Sequence, residues 1–207
     1  ARGNRISTVD NSMGIFCYGY ALNHNTTLAG VLLENNDLQT HALSINFWEV
    51  GGAGQVASRD HTVRGNRIKV TDPQSNPYGG AVMRFQQVGG VLRVEENRVD
   101  VLGAQSTQYF DTIHILGERT GDALLLNNTF NNHAVSANNA GLYLESCAAD
   151  STLQVIGNDF LNYGYALYFE NGVPAGASPR ARSNNLLGSL AGGVVNSSPE
   201  TVQAARN

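Results

Sequence analysis

The chain has almost none of what a partner made of nucleic acid or anionic lipid requires. Among its 207 residues Lys69 is the only lysine, and 13 basic side chains stand against 17 acidic ones, a formal net charge of −4. Without a basic stripe there is no electrostatic footprint for a phosphate backbone, so nucleic acid is not expected as a partner. Charged residues make up 14% of the chain, against the usual ~25%. No apolar run approaches the ~20 residues that a membrane-crossing helix needs, so membrane insertion is not expected either. Two cysteines are too few for a disulfide framework. Cys17 and Cys147 also lie about four repeats apart in the array described next, on the order of 20 Å at ~4.8 Å per stacked strand, beyond the reach of a bridge.

What the chain does have is a repeat. Asn4, Asn36, Asn66, Asn97, Asn128, Asn158 and Asn184 recur at steps of 30 to 32 residues, with a last step of 26. Three places before each lies an apolar or small residue (Ala1, Leu33, Val63, Val94, Leu125, Val155, Ala181). Two places after lies another (Ile6, Leu38, Ile68, Val99, Phe130, Phe160, Leu186). Self-similarity at this period marks an array whose units are stable only when stacked.

A second column begins with a small residue. Gly141 to Glu145 reads Gly-Leu-Tyr-Leu-Glu and Ala166 to Glu170 reads Ala-Leu-Tyr-Phe-Glu, each alternating with period two as a half-buried strand does. The same shape is placed on residues 14–17, 42–45, 80–83 and 112–115. Each unit therefore holds three short strands. The polar break at the asparagine is too short for a hairpin and predicts a bend. Asparagine suits it, because it tolerates the left-handed backbone region and its amide bonds locally. Stacked units would then join their asparagines into a ladder. The prediction is an all-β fold: one parallel β-helix of about seven coils over 1–195, with 196–207 a C-terminal tail, short helix or linker.

This order of small-residue strand, turn, second strand, asparagine corner and third strand resembles the right-handed parallel β-helix of the pectin-lyase-like superfamily, over roughly Ala1 to Val195. The resemblance implies the fold and leaves function open, since such helices serve as polysaccharide lyases, glycoside hydrolases, epimerases, tailspikes and adhesins. The repeats also look like those of very large surface proteins of parasitic protozoa, which implies an extracellular or cell-surface location; a polysaccharide or glycan is the partner expected from the outward face described next. Ala1 to Ile6 echoes Val63 to Ile68, so the expectation is a fragment of a longer chain or an end capped by another segment. Uncovered coil ends predict end-to-end self-association. Arg67-Ile68-Lys69 is similar to a basic motif of polygalacturonases, but their paired-aspartate and Gly-His-Gly elements are missing, as are the pectate lyase signatures. No cofactor is expected, and Asp111 with Glu118 offers too few oxygen ligands for calcium. Asn25, Asn127 and Asn196 open Asn-X-Ser/Thr sequences, acceptors if the protein is secreted.

The candidate site follows from alternation. With Leu142, Leu144, Leu167 and Phe169 inward, Tyr143, Glu145, Tyr168 and Glu170 face outward. Extending the columns adds His114, Val82, Ser44 and Phe16 beside the tyrosines, and Arg84 and Asn46 beside the glutamates. Glu145, Glu170, His114, Tyr143 and Tyr168 are the catalytic candidates; Arg84, His114, Tyr143, Tyr168, Trp48 and Tyr78 are the substrate-binding ones. Carboxylates stacked about 5 Å apart match a retaining glycosidase pair, and mutual repulsion would raise one pKa as a general acid needs. Tyrosines and His114 would stack on sugar rings, and Arg84 would neutralise a uronate. Ladders of like residues are equally ordinary on such surfaces. The sequence therefore predicts a structural and recognition module with carbohydrate as its expected ligand, and a lyase or hydrolase, or a purely structural solenoid, as alternatives. His61 is expected inward or at a corner, and Cys17 inward.

Overall fold

The computed structural model describes residues 1–9, 13–18, 30–50, 60–72, 80–103, 110–117, 121–133 and 137–207. Its strands come in rounds of three. The first rounds are β1 (Arg5–Ser7), β2 (Ile15–Tyr18), β3 (Leu32–Glu34), then β4 (Asp37–Thr40), β5 (Ile45–Trp48), β6 (His61–Arg64), then β7 (Arg67–Val70), β8 (Ala81–Gln86), β9 (Leu92–Glu95). The next are β10 (Arg98–Val101), β11 (Phe110–Leu116), β12 (Ala123–Leu126), then β13 (Thr129–Asn132), β14 (Asn139–Ser146), β15 (Thr152–Ile156), then β16 (Asp159–Leu161), β17 (Tyr165–Gly172), β18 (Ser178–Arg182). β19 (Gly192–Asn196) and β20 (Gln203–Ala205) close the series.

Each strand pairs in parallel with its counterpart one round away, giving a first sheet β1-β4-β7-β10-β13-β16, a second β2-β5-β8-β11-β14-β17-β19 and a third β3-β6-β9-β12-β15-β18-β20. The fold is the expected parallel β-solenoid, with no helix among the described residues. Its complete turns are fewer than the seven expected, because the last round adds a strand to only two sheets. The segment 196–207, read from sequence as a tail or linker, instead carries β20 on β18.

The columns flanking the asparagines line the interior. Leu33, Val63, Val94, Leu125 and Val155 stack in the third sheet, and Leu38, Ile68, Val99, Phe130 and Phe160 in the first, each at most 2% exposed. The second sheet adds Phe47, Phe85, Ile115, Leu144 and Phe169. Burying such columns is the main stabilising term of the fold.

At the corner the asparagine ladder forms as predicted. Asn66 Nδ2 donates to Asn97 Oδ1 at 2.9 Å, Asn97 Nδ2 to Asn128 Oδ1 at 2.9 Å, and Asn128 Nδ2 to Asn158 Oδ1 at 2.8 Å. The same Oδ1 also accepts the backbone N–H of the preceding ladder asparagine, as Asn128 Oδ1 does from Asn97 N at 2.9 Å. The remaining amide hydrogen goes back to the apolar column, Asn97 Nδ2 to Val63 O and Asn128 Nδ2 to Val94 O, both at 2.8 Å. Every buried amide atom of the corner is thereby satisfied. Asn207, absent from the sequence pattern, extends the ladder by accepting from Asn184 Nδ2 at 2.9 Å.

One expectation about the corner is corrected. The left-handed residue is the one before each ladder asparagine: Gly3 (φ 64), Asn35 (φ 54), Gly65 (φ 63), Glu96 (φ 55), Asn127 (φ 54), Gly157 (φ 66), Ser183 (φ 54) and Arg206 (φ 56). The ladder amide has to point along the column, so the turn is made by its exposed neighbour. A side chain there is strained. Glu96→Gly is accordingly expected to raise stability by about 0.5–1 kcal/mol, the relief exceeding the added unfolded-state entropy. Gly157→Ala should lower it, since the new Cβ would stand 2.5 Å from Asn127 Oδ1. Urea midpoints of the two variants check both signs, and a Glu96→Gly midpoint at or below that of the parent chain would contradict the strain argument.

A second correction concerns register. Ile45 and Ile113 both pair with Met83, so Asn46 and Arg84 align with His114, in the tyrosine column and not beside the glutamates. Val82 and Ser44, placed in that column by the sequence pattern, are fully buried.

Candidate functional site on the second sheet

The column of the second sheet that continues from the tyrosines reads Phe16, Asn46, Arg84, His114, Tyr143, Tyr168, with Asn46 and His114 almost wholly covered. At ~4.8 Å per strand it extends on the order of 24 Å. Its carboxyl-terminal half is a continuous run of rings. His114 meets Tyr143 edge-on at 4.9 Å, Tyr143 stacks on Tyr168 at 5.4 Å, and Tyr165 meets Tyr168 edge-on at 5.5 Å. Tyr143, Tyr165 and Tyr168 are half-buried, so one face or edge of each meets solvent. At the other end Phe16 stacks on Tyr18 at 6.0 Å, and Tyr18 meets Trp48 edge-on at 5.6 Å.

The glutamates do something the sequence pattern did not foresee: each reaches back one round to a ring. Glu145 Oε2 lies 2.8 Å from His114 Nε2, and Tyr143 Oη donates to Glu170 Oε2 at 2.5 Å. A register irregularity after Leu144, where Ser146 pairs with Gly172, accompanies this arrangement. Glu145 stays accessible, with 42% of its side chain exposed. The two carboxylates are thus held by separate partners in successive rounds, unlike a pair converging on one glycosidic bond.

Beneath the rings lies Asp111, fully buried, with Oδ2 3.5 Å from His114 Nδ1. His114 therefore has a carboxylate near each ring nitrogen. Burial lowers its pKa, the hydrogen bond and charge of Glu145 act against that, and Arg84 adds to the lowering. The Tyr143 phenol is pushed well above its ordinary range, first by burial, then by the bond to Glu170 and the charges of Glu170, Asp111 and Glu145. It remains a protonated donor. Half-buried Arg84 has its pKa lowered by burial, with Glu145 opposing.

The structure thus brings together Arg84, His114, Tyr143, Glu145, Tyr168 and Glu170. It does not bring Trp48 to them: Trp48 pairs with Gln86 and Tyr18, in the outer column at the amino-terminal end of the sheet. Tyr78 lies outside the described residues. Sequence reasoning considered Asp111 only as a metal ligand, and it missed Tyr18 and Tyr165. Tyr18 carried a signal, since it follows Phe16 at the two-residue spacing of one strand face.

Other candidates fall away from this face. Arg67 and Lys69 lie on β7, in the first sheet. His61 is fully buried as expected; its Nδ1 accepts from Val31 N at 3.3 Å, its ring meets Phe47 at 6.3 Å, and burial lowers its pKa. Cys17 and Cys147 are free thiols, and burial raises both pKa values, which disfavours the reactive thiolate. Among the described residues no group of three or more histidine, cysteine or acidic side chains is arranged for a metal. Comparison with protein-family models, with curated proteins and with solved structures finds no match to this chain.

Proposed function

We propose that the protein is an extracellular or cell-surface recognition module, a right-handed β-helix of the pectin-lyase-like kind, that binds carbohydrate along the outward face of its second sheet. The observation that carries this reading is the unbroken run of His114, Tyr143, Tyr168 and Tyr165 at centroid spacings of 4.9 to 5.5 Å. Aromatic faces offer apolar area at little conformational cost, and the polar atoms beside them bond hydroxyl groups. His114, Tyr143 and Tyr168, on successive strands, recur at about the strand spacing, comparable to the repeat of an extended sugar chain. A parallel sheet of ordered strands presents them rigidly, so little freedom is lost on binding.

A second reading, a polysaccharide lyase or glycoside hydrolase, is favoured by the placement of His114 between Asp111 and Glu145. A carboxylate behind an imidazole orients it for proton transfer. Glu145 would serve as acid or base, and Tyr143 as a proton donor.

Incubation with a panel of acidic, neutral and amino polysaccharides, scored for retention and for new reducing or unsaturated ends, separates the two. Retention without new ends is the expected result, with retention weakened by Tyr168→Ala. New ends that vanish in Glu145→Gln or Tyr168→Phe would assign the enzyme. Neither retention nor new ends would leave a structural, self-associating solenoid and overturn both.

A further inference from the structure

Granting a glycan-binding face, the charge around its rings selects the kind of glycan. Three carboxylates, Asp111, Glu145 and Glu170, lie within electrostatic reach of the Tyr143 phenol, and all three act on it with the same sign. The one guanidinium in the column, Arg84, pairs in register with His114, and His114 with Tyr143. Arg84 is therefore two strands from Tyr143, on the order of 10 Å. Its charge acts on His114 and Glu145, whereas the charges acting on the Tyr143 phenol are those of Glu170, Asp111 and Glu145. Glu145 and Glu170, by contrast, bond directly to the first two rings of the run.

That balance of charge favours a positively charged sugar over a uronate. A sugar carboxylate beside Tyr143 or Tyr168 would meet two near glutamates and a buried aspartate, against one cation, Arg84, whose charge Glu145 already opposes. A positively charged sugar meets the opposite situation. A carboxylate has roughly four acceptor positions, so one bond to His114 or Tyr143 leaves each glutamate capacity for an ammonium. Those same bonds hold the glutamates in place before a ligand arrives, which lowers the ordering cost of binding.

We infer that this face takes glycans bearing free, protonated amino groups, with an ammonium seated beside the Tyr143 and Tyr168 rings between Glu145 and Glu170. The inference rests on the glycan-binding reading and narrows it to amino sugars.

The test is calorimetric titration of the whole chain, at mildly acidic pH, with three oligosaccharides of equal length: glucosamine oligomers, their N-acetylated counterparts and oligogalacturonate. The glucosamine oligomers are expected to bind most tightly and to weaken with added salt. Exposed ion pairs are modest, so Glu145→Gln and Glu170→Gln should each weaken that binding about threefold and together about tenfold, and should weaken binding of the N-acetylated oligomers distinctly less. Arg84→Gln, which removes the opposing charge, should tighten it. Circular dichroism confirms that each variant keeps its strands. If glucosamine oligomers bind no better than N-acetylated ones, or ignore both glutamate variants, the inference is overturned while glycan binding stands. If oligogalacturonate binds best, Arg84 dominates and the sign is wrong. If none of the three binds, the inference and the reading beneath it fall together.

Discussion

Asn128→Ala is expected to lower stability by about 4 kcal/mol. The side chain is 1% exposed and takes part in four hydrogen bonds, donating to Asn158 Oδ1 and Val94 O and accepting from the backbone and side-chain amides of Asn97. Truncation leaves the Asn97 N–H, one Asn97 amide hydrogen and the Val94 carbonyl without partners in a place water does not reach. Each buried group so orphaned costs about 1–3 kcal/mol, and local relaxation recovers part of the sum. Asn158 Oδ1 keeps the backbone N–H of residue 128, which is why the loss is not larger. Asn4, exposed at the first corner, serves as the control: Asn4→Ala should cost about 1 kcal/mol. Urea unfolding followed by far-UV circular dichroism measures both. Equal losses at the two positions would show that the ladder contributes no more in the interior than at its rim.

Phe160→Ala is the second large effect, again about 4 kcal/mol, in the range found when a buried aromatic is truncated and its cavity stays open. Phe160 is fully buried and packs on Phe130 at 5.0 Å. It also fills the space that Gly141 leaves empty, since a Cβ on Gly141 would lie 2.4 Å from Phe160 Cδ1 and 2.7 Å from Ala166 O. Gly141→Ala alone should therefore cost about 2 kcal/mol by overpacking. The two changes are coupled. In the Phe160→Ala background the added methyl enters a cavity and should cost less than half as much, a non-additivity that a double-mutant cycle measures. Strict additivity would mean that the carbonyl of Ala166, and not the ring, limits position 141.

These sites differ in how readable they were. The ladder was legible because seven asparagines recur with apolar neighbours at constant offsets, and in a stacked array a constant period means a constant position. The turn residue was not, because Gly65, Glu96, Asn127 and Ser183 share no chemistry, only a backbone conformation. Asn207 escaped because its step from Asn184, 23 residues, is shorter than the rest.

The second sheet shows a different limit. Assigning Ser44 and Val82 to the column that Asn46 and Arg84 occupy is a slip of two residues. A slip of one exposes the wrong face and is ruled out by hydrophobicity, whereas a slip of two leaves the in-and-out pattern unchanged. Alternation therefore placed Arg84 correctly as outward and in the wrong column. Loops of unequal length between the corner and this sheet removed the count that would have settled it.

The chain's own pattern determined the all-β class, the parallel stacking, the asparagine corner, the buried columns and the outward identity of Tyr143, Glu145, Tyr168 and Glu170, because each depends on spacing along one strand or on a repeated period. Which outward groups meet was decided only in three dimensions. The reach of Glu145 to His114 and of Glu170 to Tyr143, the presence of Asp111 beneath the imidazole, and the separation of Arg84 from the tyrosines all depend on the register between rounds. Register is set by how whole coils seat on one another, and no single strand carries it.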